Sequence, residues 1–425
     1  MPEKVIAAGL ILPDLTRQVA EEHLEELTKL IESAGGRVVT RVFAKRQKPD
    51  PGTFIGSGKA EEIKSMAGEN GATLIVFDDD LSPAQARNLE KIINVPVIDR
   101  SGLILEIFAG RARSREARTQ VELAQLEYML PRLTRQWTHL SRQAGGAGGG
   151  AKRGVGETQL EMDRRIVRTR ISRLKDELHK IEQTRETQRK ARDAAFTVAL
   201  VGYTNAGKST LFNRLTQGDT LALDKLFATL DAKSQRAAFE TPRPTVVIDT
   251  VGFIRKLPHH LVASFRSTME EAVAADLVLH VIDGSHPQFD EQRDVGHEVL
   301  ADLGVDMDRV VEVYNKIDVE DGQSGLSGVR QARLPVLHVS ALTGEGIDKL
   351  IDVIRMRERE GGEMMQLEVP HEESRVAAML HEVAEVVEQT VTDRATIFRA
   401  WVPESAVHLF QAYSAESLLE IAKAN

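Results

Sequence analysis

The chain has 425 residues, of which 42% are hydrophobic and 28% charged, and its net charge is −9. This length predicts about three or four domains with buried cores, and the absence of cysteine excludes disulfides and thiolate metal sites. The first apolar run, residues 5–12, is too short to cross a membrane and follows no basic leader. We therefore expect a cytoplasmic protein without a membrane span.

Residues 1–109 alternate between strand-like and helix-like segments and predict an N-terminal α/β domain with a mainly parallel sheet. The predicted strands are residues 5–12, 36–43, 72–77 and 95–98. The predicted helices are residues 16–34, 59–68 and 82–93. Ser82 and Pro83 are a typical helix cap and first-turn pair, which favours a helix start at that point.

The segment Gly56-Ser57-Gly58-Lys59 is similar to half of a phosphate-binding loop. It lacks the spacing to a second glycine and the hydroxyl residue after the lysine that the complete motif needs. A backbone turn, a contact to RNA and a nucleotide site all remain open interpretations of this segment.

Residues 110–193 differ from their surroundings because they are basic. Between residues 111 and 192 there are 20 Lys and Arg against 10 Asp and Glu, a net charge of +10 inside an acidic chain. A local surface for a polyanion is favoured. A solvated charged helix face is the alternative.

The apolar pattern of this block predicts two helices that form an antiparallel hairpin. Val121, Ala124 and Tyr128 share one helical face. In the second helix the apolar seam is Leu160, Val167, Ile171, Leu174, Leu178 and Ile181. Between the helices, seven of the 13 residues 144–156 are glycine, which predicts a tip with few side chains.

The Gly-rich tip carries Lys152 and Arg153. The residues that flank it on the other side are Arg132, Arg135, Trp137, His139 and Arg142. A flexible linker would account for the glycines alone, whereas insertion into folded RNA also accounts for the cations and for a stacking aromatic ring. We favour the contact to RNA.

Residues 194–361 contain a complete Gly-x4-Gly-Lys-Ser phosphate loop between a predicted strand, residues 196–201, and a predicted helix. The loop consists of Gly202, Tyr203, Thr204, Asn205, Ala206, Gly207, Lys208 and Ser209. Such a loop binds phosphates through backbone N–H groups and the helix N-terminus. Lys208 is expected to reach the β- and γ-phosphates and the Ser209 hydroxyl to bind Mg²⁺.

Three further motifs follow in order, each at the end of a predicted strand. The first is Asp249, Thr250, Val251 and Gly252, which suits a water-mediated Mg²⁺ contact and a backbone N–H aimed at a γ-phosphate. The second is Asn315, Lys316, Ile317 and Asp318, whose last carboxylate can accept hydrogen bonds from guanine but not from adenine. The third is Ser340, Ala341 and Leu342, in a loop able to contact guanine O6. Together these motifs resemble the GTPase signature set and predict a Ras-like P-loop GTPase domain.

Residues 362–425 are predicted to form a small C-terminal α+β domain without a chemical motif. After the segment 367–370, the expected elements are a helix over residues 374–390 and a strand over residues 396–402.

Over nearly its whole length the chain resembles the HflX family of GTPases, within the Obg–HflX group. The resemblance rests on residues 77–90, 120–127, 131–133, 154–161, 163–165 and 224–231. It implies a cytoplasmic GTPase, monomeric when free, that binds ribosomes through the large subunit and its rRNA. It also implies a link to splitting or rescuing stalled ribosomes under stress.

The resemblance further implies a switch loop that contains Phe227, Ala228, Thr229, Leu230 and Asp231. Thr229 lies twenty residues after Ser209 and would be the second Mg²⁺ ligand, with Thr216, Thr220 and Thr241 as less suitable alternatives. The expected catalytic groups are Lys208, Thr229 and Gly252.

The position after Asp-x-x-Gly, where Ras-like proteins carry a water-orienting Gln, is Phe253. A K⁺ ion held by Asn205 could supply the missing group, or Asn205 could simply satisfy a loop backbone atom. Three functions remain open: a ribosome-associated GTPase, a GTPase switch in ribosome assembly or RNA modification, and a binding module with negligible turnover.

Overall fold

The computed structural model describes residues 2–133, 159–190, 195–218, 227, 233–239, 241, 243–256, 271–319 and 336–414. The chain forms two compact units. The first comprises Met1–Arg185, Asp224–Asp231 and Ile254–Ser267. The second comprises Glu186–Leu223, Ala232–Phe253 and Thr268–Asn425.

The first unit contains a four-stranded parallel sheet in the order β2-β1-β3-β4. Its strands are β1 (Lys4–Ile11), β2 (Arg37–Lys45), β3 (Leu74–Phe77) and β4 (Val97–Asp99). The helices between and after them are α1 (Arg17–Ser33), α2 (Ser57–Asn70), α3 (Pro83–Ile93) and α4 (Arg100–Arg111). The predicted alternation is therefore present, and β1 is buried from its second residue onward because it lies inside the sheet.

Local sequence signals set several helix starts in this sheet domain. Ser82 caps α3 in a reciprocal capping box with Gln85, and Pro83 occupies the first turn. Gly56 precedes α2, so the segment that resembles half of a phosphate loop forms a helix start. Lys59 within it pairs with Glu62 at 2.7 Å.

Two further helices follow in the chain, α5 (Arg115–Met129) and α6 (Gln159–Lys190), and α6 continues past Arg185, the last residue of this part of the first unit. Arg170 binds Glu122 with two hydrogen bonds of 2.7 and 2.8 Å, which joins the two helices. Leu174 of the predicted apolar seam is buried. The Gly-rich tip, with Lys152 and Arg153, lies outside the described residues.

The second unit contains a six-stranded sheet in the order β10-β9-β8-β5-β7-β6. The strands are β5 (Phe196–Gly202), β6 (Lys233–Arg236), β7 (Thr245–Asp249), β8 (Leu277–Asp283), β9 (Val310–Asn315) and β10 (Val336–His338). The helices are α7 (Lys208–Thr216), α8 (Phe289–Asp302) and α9 (Ile347–Glu360). All neighbouring strands are parallel except the edge strand β6, which is antiparallel to β7. The carboxyl ends of β5, β7, β8, β9 and β10 therefore meet at one edge of the sheet, where ligands of such folds bind.

A three-stranded antiparallel sheet follows, in the order β11-β13-β12. Its elements are β11 (Gly362–Pro370), α10 (Ser374–Val383), β12 (Glu385–Val391), β13 (Ala395–Pro403) and α11 (Glu404–Phe410). The helix predicted over residues 374–390 is wrong in its second half. Residues 385–391 are rich in valine and pair with β13, so sheet pairing overrides the helical pattern.

Candidate nucleotide-binding site

The phosphate loop connects the buried strand β5 to α7 through a backbone path that needs glycine at two places. Gly202 has a φ of 142° and Gly207 a φ of 92°. A Cβ at Gly202 would lie 2.0 Å from the Val281 carbonyl oxygen, and one at Gly207 would lie 2.2 Å from Asn315 Nδ2. Both positions therefore exclude any side chain, which explains the glycine spacing of the motif.

The side chain of Lys208 binds the backbone at the start of the phosphate loop. Its Nζ donates hydrogen bonds to the carbonyl oxygens of Gly202 at 3.0 Å and Tyr203 at 2.9 Å. Burial lowers the pKa of Lys208 to about 8, and the nearby Asp249 carboxylate opposes that shift. A buried ammonium beside backbone N–H groups is a strong attractor for phosphate oxygens, because little solvent screens its charge.

Two oxygen groups converge beside Lys208. The Ser209 hydroxyl donates to Asp249 Oδ2 at 2.8 Å, and Asp249, at the end of β7, is buried. Hydroxyl and carboxylate oxygens are the ligands that Mg²⁺ prefers, directly or through water. The donor set therefore fits Mg²⁺.

The residues after Asp249 run along the phosphate loop. Thr250 Oγ1 donates to the Leu200 carbonyl at 2.7 Å. Phe253 N–H donates to the Gly202 carbonyl at 2.8 Å, and Thr204 N–H donates to the Phe253 carbonyl at 2.7 Å. The Phe253 ring is buried and carries no hydrogen-bonding group, so it cannot orient an attacking water.

Asn315 joins the phosphate loop to the third predicted motif. Its Nδ2 donates to the Ala206 carbonyl at 2.9 Å, and its Oδ1 accepts from Ala341 N–H at 2.9 Å. One buried side chain thus fixes two loops from different parts of the chain. The phosphate loop and the loop that contains Ala341 are therefore held next to each other.

Asp318 and Ser340 lie together at the same sheet edge. Ser340 Oγ donates to Asp318 Oδ1 at 2.5 Å and also accepts from Thr343 N–H at 3.0 Å. Lys316 has a left-handed backbone, with φ 67°, and pairs with Asp283 at 2.6 Å. The structure therefore places the predicted base-binding residues at adjacent loops, with one carboxylate held by a hydroxyl.

Two side chains that hold the loops of the site lie outside all of the sequence motifs. Arg214 of α7 donates from Nε to the Ala341 carbonyl at 3.2 Å and from Nη2 to the Leu342 carbonyl at 2.5 Å. Asp283 at the end of β8 holds Lys316. Arg214 had no signal beyond its place on the helix after the phosphate loop, whereas Asp283 ends a predicted buried strand, which was a usable signal.

Of the five residues of the predicted switch loop, the structure describes only Phe227. Phe227 belongs to the first unit, is buried and contacts Phe108. Ala228, Thr229, Leu230 and Asp231 lie outside the described residues.

This fold and site define a P-loop GTPase. The family described as "50S ribosome-binding GTPase" matches residues 197–316. Families described as "GTP-binding GTPase N-terminal" and "GTP-binding GTPase Middle Region" match residues 21–109 and 111–192.

Two relatives extend these matches over most of the chain. A GTPase HflX of Magnetococcus marinus is 45% identical over 391 residues, 91% of this chain and 89% of the relative. A GTPase HflX of Escherichia coli is 43% identical over 381 residues, 88% of each chain. The chain therefore belongs to the HflX family, and it is a GTP hydrolase. The solved complex of SsGBP and GDP is 27% identical, with a TM-score of 0.48, and covers 83% of this chain and 98% of that one.

Within the described residues, none of the helices combines the length and the apolar character that crossing a membrane requires.

Proposed function

We propose that this chain is a cytoplasmic, ribosome-associated GTPase that acts on the large ribosomal subunit and splits or rescues stalled ribosomes under stress. The observation that carries the GTPase part is the meeting of Lys208, Asp249, Asn315 and Asp318 at one sheet edge. The match to a family of 50S ribosome-binding GTPases supports the ribosomal part. The proposal includes four functional regions, namely residues 1–109, 110–193, 194–361 and 362–425.

The phosphate site would work through fixed positive charge. Lys208 would move its ammonium from the carbonyls of Gly202 and Tyr203 towards the β- and γ-phosphates, where it neutralises charge that develops in hydrolysis. Ser209 and Thr229 would hold Mg²⁺, which neutralises the β- and γ-oxygens. Gly252 would donate its N–H to the γ-phosphate.

The base site would select guanine by hydrogen-bond polarity. The Asp318 carboxylate accepts only, so it would pair with the N1–H and the 2-amino group, which adenine does not offer. Ser340 donates to Oδ1 of this carboxylate and would hold its orientation. Selectivity follows because a wrong base leaves a charged acceptor without a donor.

Phe253 is apolar and buried, so the group that orients the attacking water would have to come from another position or from a partner. Asn205 has a φ of 64° in the middle of the phosphate loop. We propose that its side-chain carbonyl helps to hold a K⁺ ion against the phosphates, where an arginine finger would otherwise act. The ribosome is the other source of the missing group.

The proposed ribosome arm is the tip with Lys152 and Arg153. Replacing both by Ala should weaken binding to large subunits in sedimentation assays while GTP affinity stays unchanged. The salt dependence of binding should also fall by a slope of about 1 for each cation that no longer neutralises a phosphate. Lys29→Ala, an exposed lysine on α1, is the matched control. Wild-type ribosome binding by the double variant would exclude the tip as the arm.

The overall proposal is tested by GTP turnover measured alone, with purified large subunits and with purified small subunits. We expect large subunits to raise turnover on the order of tenfold or more, since a partner must complete the water-activating site. Turnover that stays near zero would show a binding module instead. A modified RNA product would show the alternative role in RNA modification or subunit assembly.

A further inference from the structure

A cavity of about 670 Å³ that opens to solvent lies in the second unit, beside the edge strand β6. It lies at the start of β7, whereas Asp249 of the nucleotide site ends that strand. Its volume falls within the range of about 300–1,000 Å³ that small-molecule sites occupy. The residues that line it belong to β6 and the segment after it, to α9 and to β12, and the nucleotide site uses none of them.

Three arginines from two elements line this cavity. Arg236 is the last residue of β6, and Arg355 and Arg359 are four residues apart on α9. Residues at that spacing lie on the same side of a helix, so the two side chains of α9 reach the cavity together. Glu385 of β12 is the acidic residue of the lining. Three guanidinium groups and one carboxylate give the lining a net charge of +2, within a chain whose net charge is −9.

The surrounding charges leave most of this excess in place. Arg359 donates hydrogen bonds of 3.0 and 2.9 Å to the two oxygens of Glu385, so this pair is neutral. Asp352 lies 3.5 Å from Arg355, but its side chain is 72% exposed and water screens the pair. Among the described residues, no carboxylate lies within ion-pair distance of Arg236. The carboxyl end of α9 adds roughly half a negative charge, which is smaller than the excess.

Hydrogen bonds join the elements that form the walls of the cavity. Arg243, between β6 and β7, donates from its backbone N–H and from Nε to Glu358 Oε1, at 3.3 and 3.2 Å. Glu358 belongs to α9 and is fully buried. At the end of the same helix, Trp401 Nε1 of β13 donates to the Arg359 carbonyl at 3.1 Å. The GTPase sheet, α9 and the C-terminal sheet are thereby held together, so a ligand meets a pre-formed site and binding costs little ordering.

The rest of the lining offers apolar surface rather than further hydrogen-bond donors. Ala237 and Phe239 are partly buried and pack against the core of the GTPase sheet. Thr241 Oγ1 donates to the Arg243 carbonyl at 2.6 Å and lies 2.9 Å from Thr245 Oγ1. Since each hydroxyl has one proton, Thr245 donates to Thr241 and both protons are used. Recognition of an anion therefore depends on the guanidinium groups.

We propose that this cavity binds a small molecule that carries a phosphate monoester. Such a group has a charge of about −1.5 to −2 at pH 7 and three acceptor oxygens, which match a lining with a net charge of +2. Arginine binds phosphate oxygens through paired N–H donors. An RNA phosphodiester or a single carboxylate carries one charge and fits the excess less well. The inference goes beyond the GTPase and ribosomal roles and does not depend on them.

The test uses the full-length protein saturated with GDP and Mg²⁺, so that the nucleotide site is occupied. Calorimetry and ³¹P NMR measure the binding of phenyl phosphate, which combines a monoester with a ring that can contact the apolar surface. We expect one phenyl phosphate to bind per chain. Phenyl sulfate, which has the same shape but one charge, should bind about tenfold more weakly, and phenol should bind more weakly still.

Substitutions of the arginines identify the site. Arg236→Gln and Arg355→Gln should each weaken phenyl phosphate binding about tenfold, since each removes one charge-assisted contact. Arg236→Lys keeps the charge without the planar fork, so its affinity should lie between those of wild type and Arg236→Gln. Arg309→Gln removes an exposed arginine of the same unit that pairs with Asp306 at 3.9 Å, and this matched control should bind like wild type. Melting temperatures of all variants identify any loss of folding.

No binding of phenyl phosphate to the GDP-saturated protein would overturn the proposal, as would equal binding by the folded Gln variants and wild type. Equal affinities for phenyl phosphate and phenyl sulfate would exclude the monoester as the ligand class. Tighter binding of a short single-stranded RNA at the same arginines would assign the cavity to nucleic acid instead. A protein that does not bind GDP would refute the nucleotide site, whereas the phenyl phosphate titration tests the cavity by itself, so the two failures are distinguishable.

Discussion

His280 predicts a pronounced acid sensitivity of the GTPase sheet. It lies in β8, is fully buried, and both of its ring nitrogens lack a hydrogen-bond partner among the described residues. Burial lowers the pKa of His280 to about 3, and the positive charges of His297, Lys208 and Arg293 act in the same direction. Glu312, the register partner of His280 on β9, has its Oε1 atom 3.1 Å from His297 Nε2.

The size of the effect follows from proton linkage. In the unfolded chain the imidazole takes up a proton near pH 6.5, whereas in the folded state it does so only near pH 3. Protons therefore favour unfolding in this window, and stability falls as the pH falls from about 6.5 towards 3. One unit of pKa difference corresponds to about 1.4 kcal/mol, so at pH 5 the loss reaches about 2 kcal/mol.

The perturbation is His280→Leu, which removes the titrating group at similar volume. The stability of the variant relative to wild type should rise by about 2 kcal/mol between pH 8 and pH 5. Because a multidomain chain does not unfold in two states, the free energy of opening is best taken from hydrogen exchange of the β8 amides. Val278→Ala, buried on the same strand, should lower stability equally at both pH values.

Parallel pH profiles for wild type and His280→Leu would refute this reasoning. So would an NMR titration in which the His280 imidazole of the folded protein takes up its proton near pH 6.5.

Three further predictions concern the nucleotide site. Asp318→Asn should weaken GTP binding by about 2 kcal/mol, roughly thirtyfold. It should improve binding of XTP, because the amide can donate to the carbonyl that replaces the 2-amino group. Unchanged affinities for both nucleotides would exclude Asp318 as the residue that selects guanine. Asn315→Ala should weaken the binding of GTP and of GDP equally, by about 1–3 kcal/mol, because Ala206 and Ala341 both lose their hydrogen bond to this side chain. Wild-type affinities in calorimetry would contradict this role of Asn315. Wild-type GTP turnover should be faster in K⁺ than in Na⁺ at matched ionic strength, and Asn205→Ser should remove the difference; equal rates in both salts would leave activation to the ribosome alone.

The error over residues 374–390 shows where sequence patterns fail. Residues 374–383 do form a helix, and the apolar spacing continues into residues 385–391. Residues 385–391 fit a helix by their apolar spacing and a strand by their composition, since valine and threonine favour strands. Pairing with β13 decides between them, and β13 begins only after β12 in the chain.

The sequence by itself determined the phosphate loop, the order of the strand-end motifs and the alternation in the N-terminal domain, because each depends on the spacing of residues close in the chain. Only the tertiary structure showed that Asn315 holds Ala206 from 109 residues away and that Arg214 holds Ala341 from 127 residues away. The same is true of Lys256 and Asp78, which are 178 residues apart. Such contacts depend on which strand ends and helix termini the fold brings together, and a single polar residue carries no mark of its distant partner.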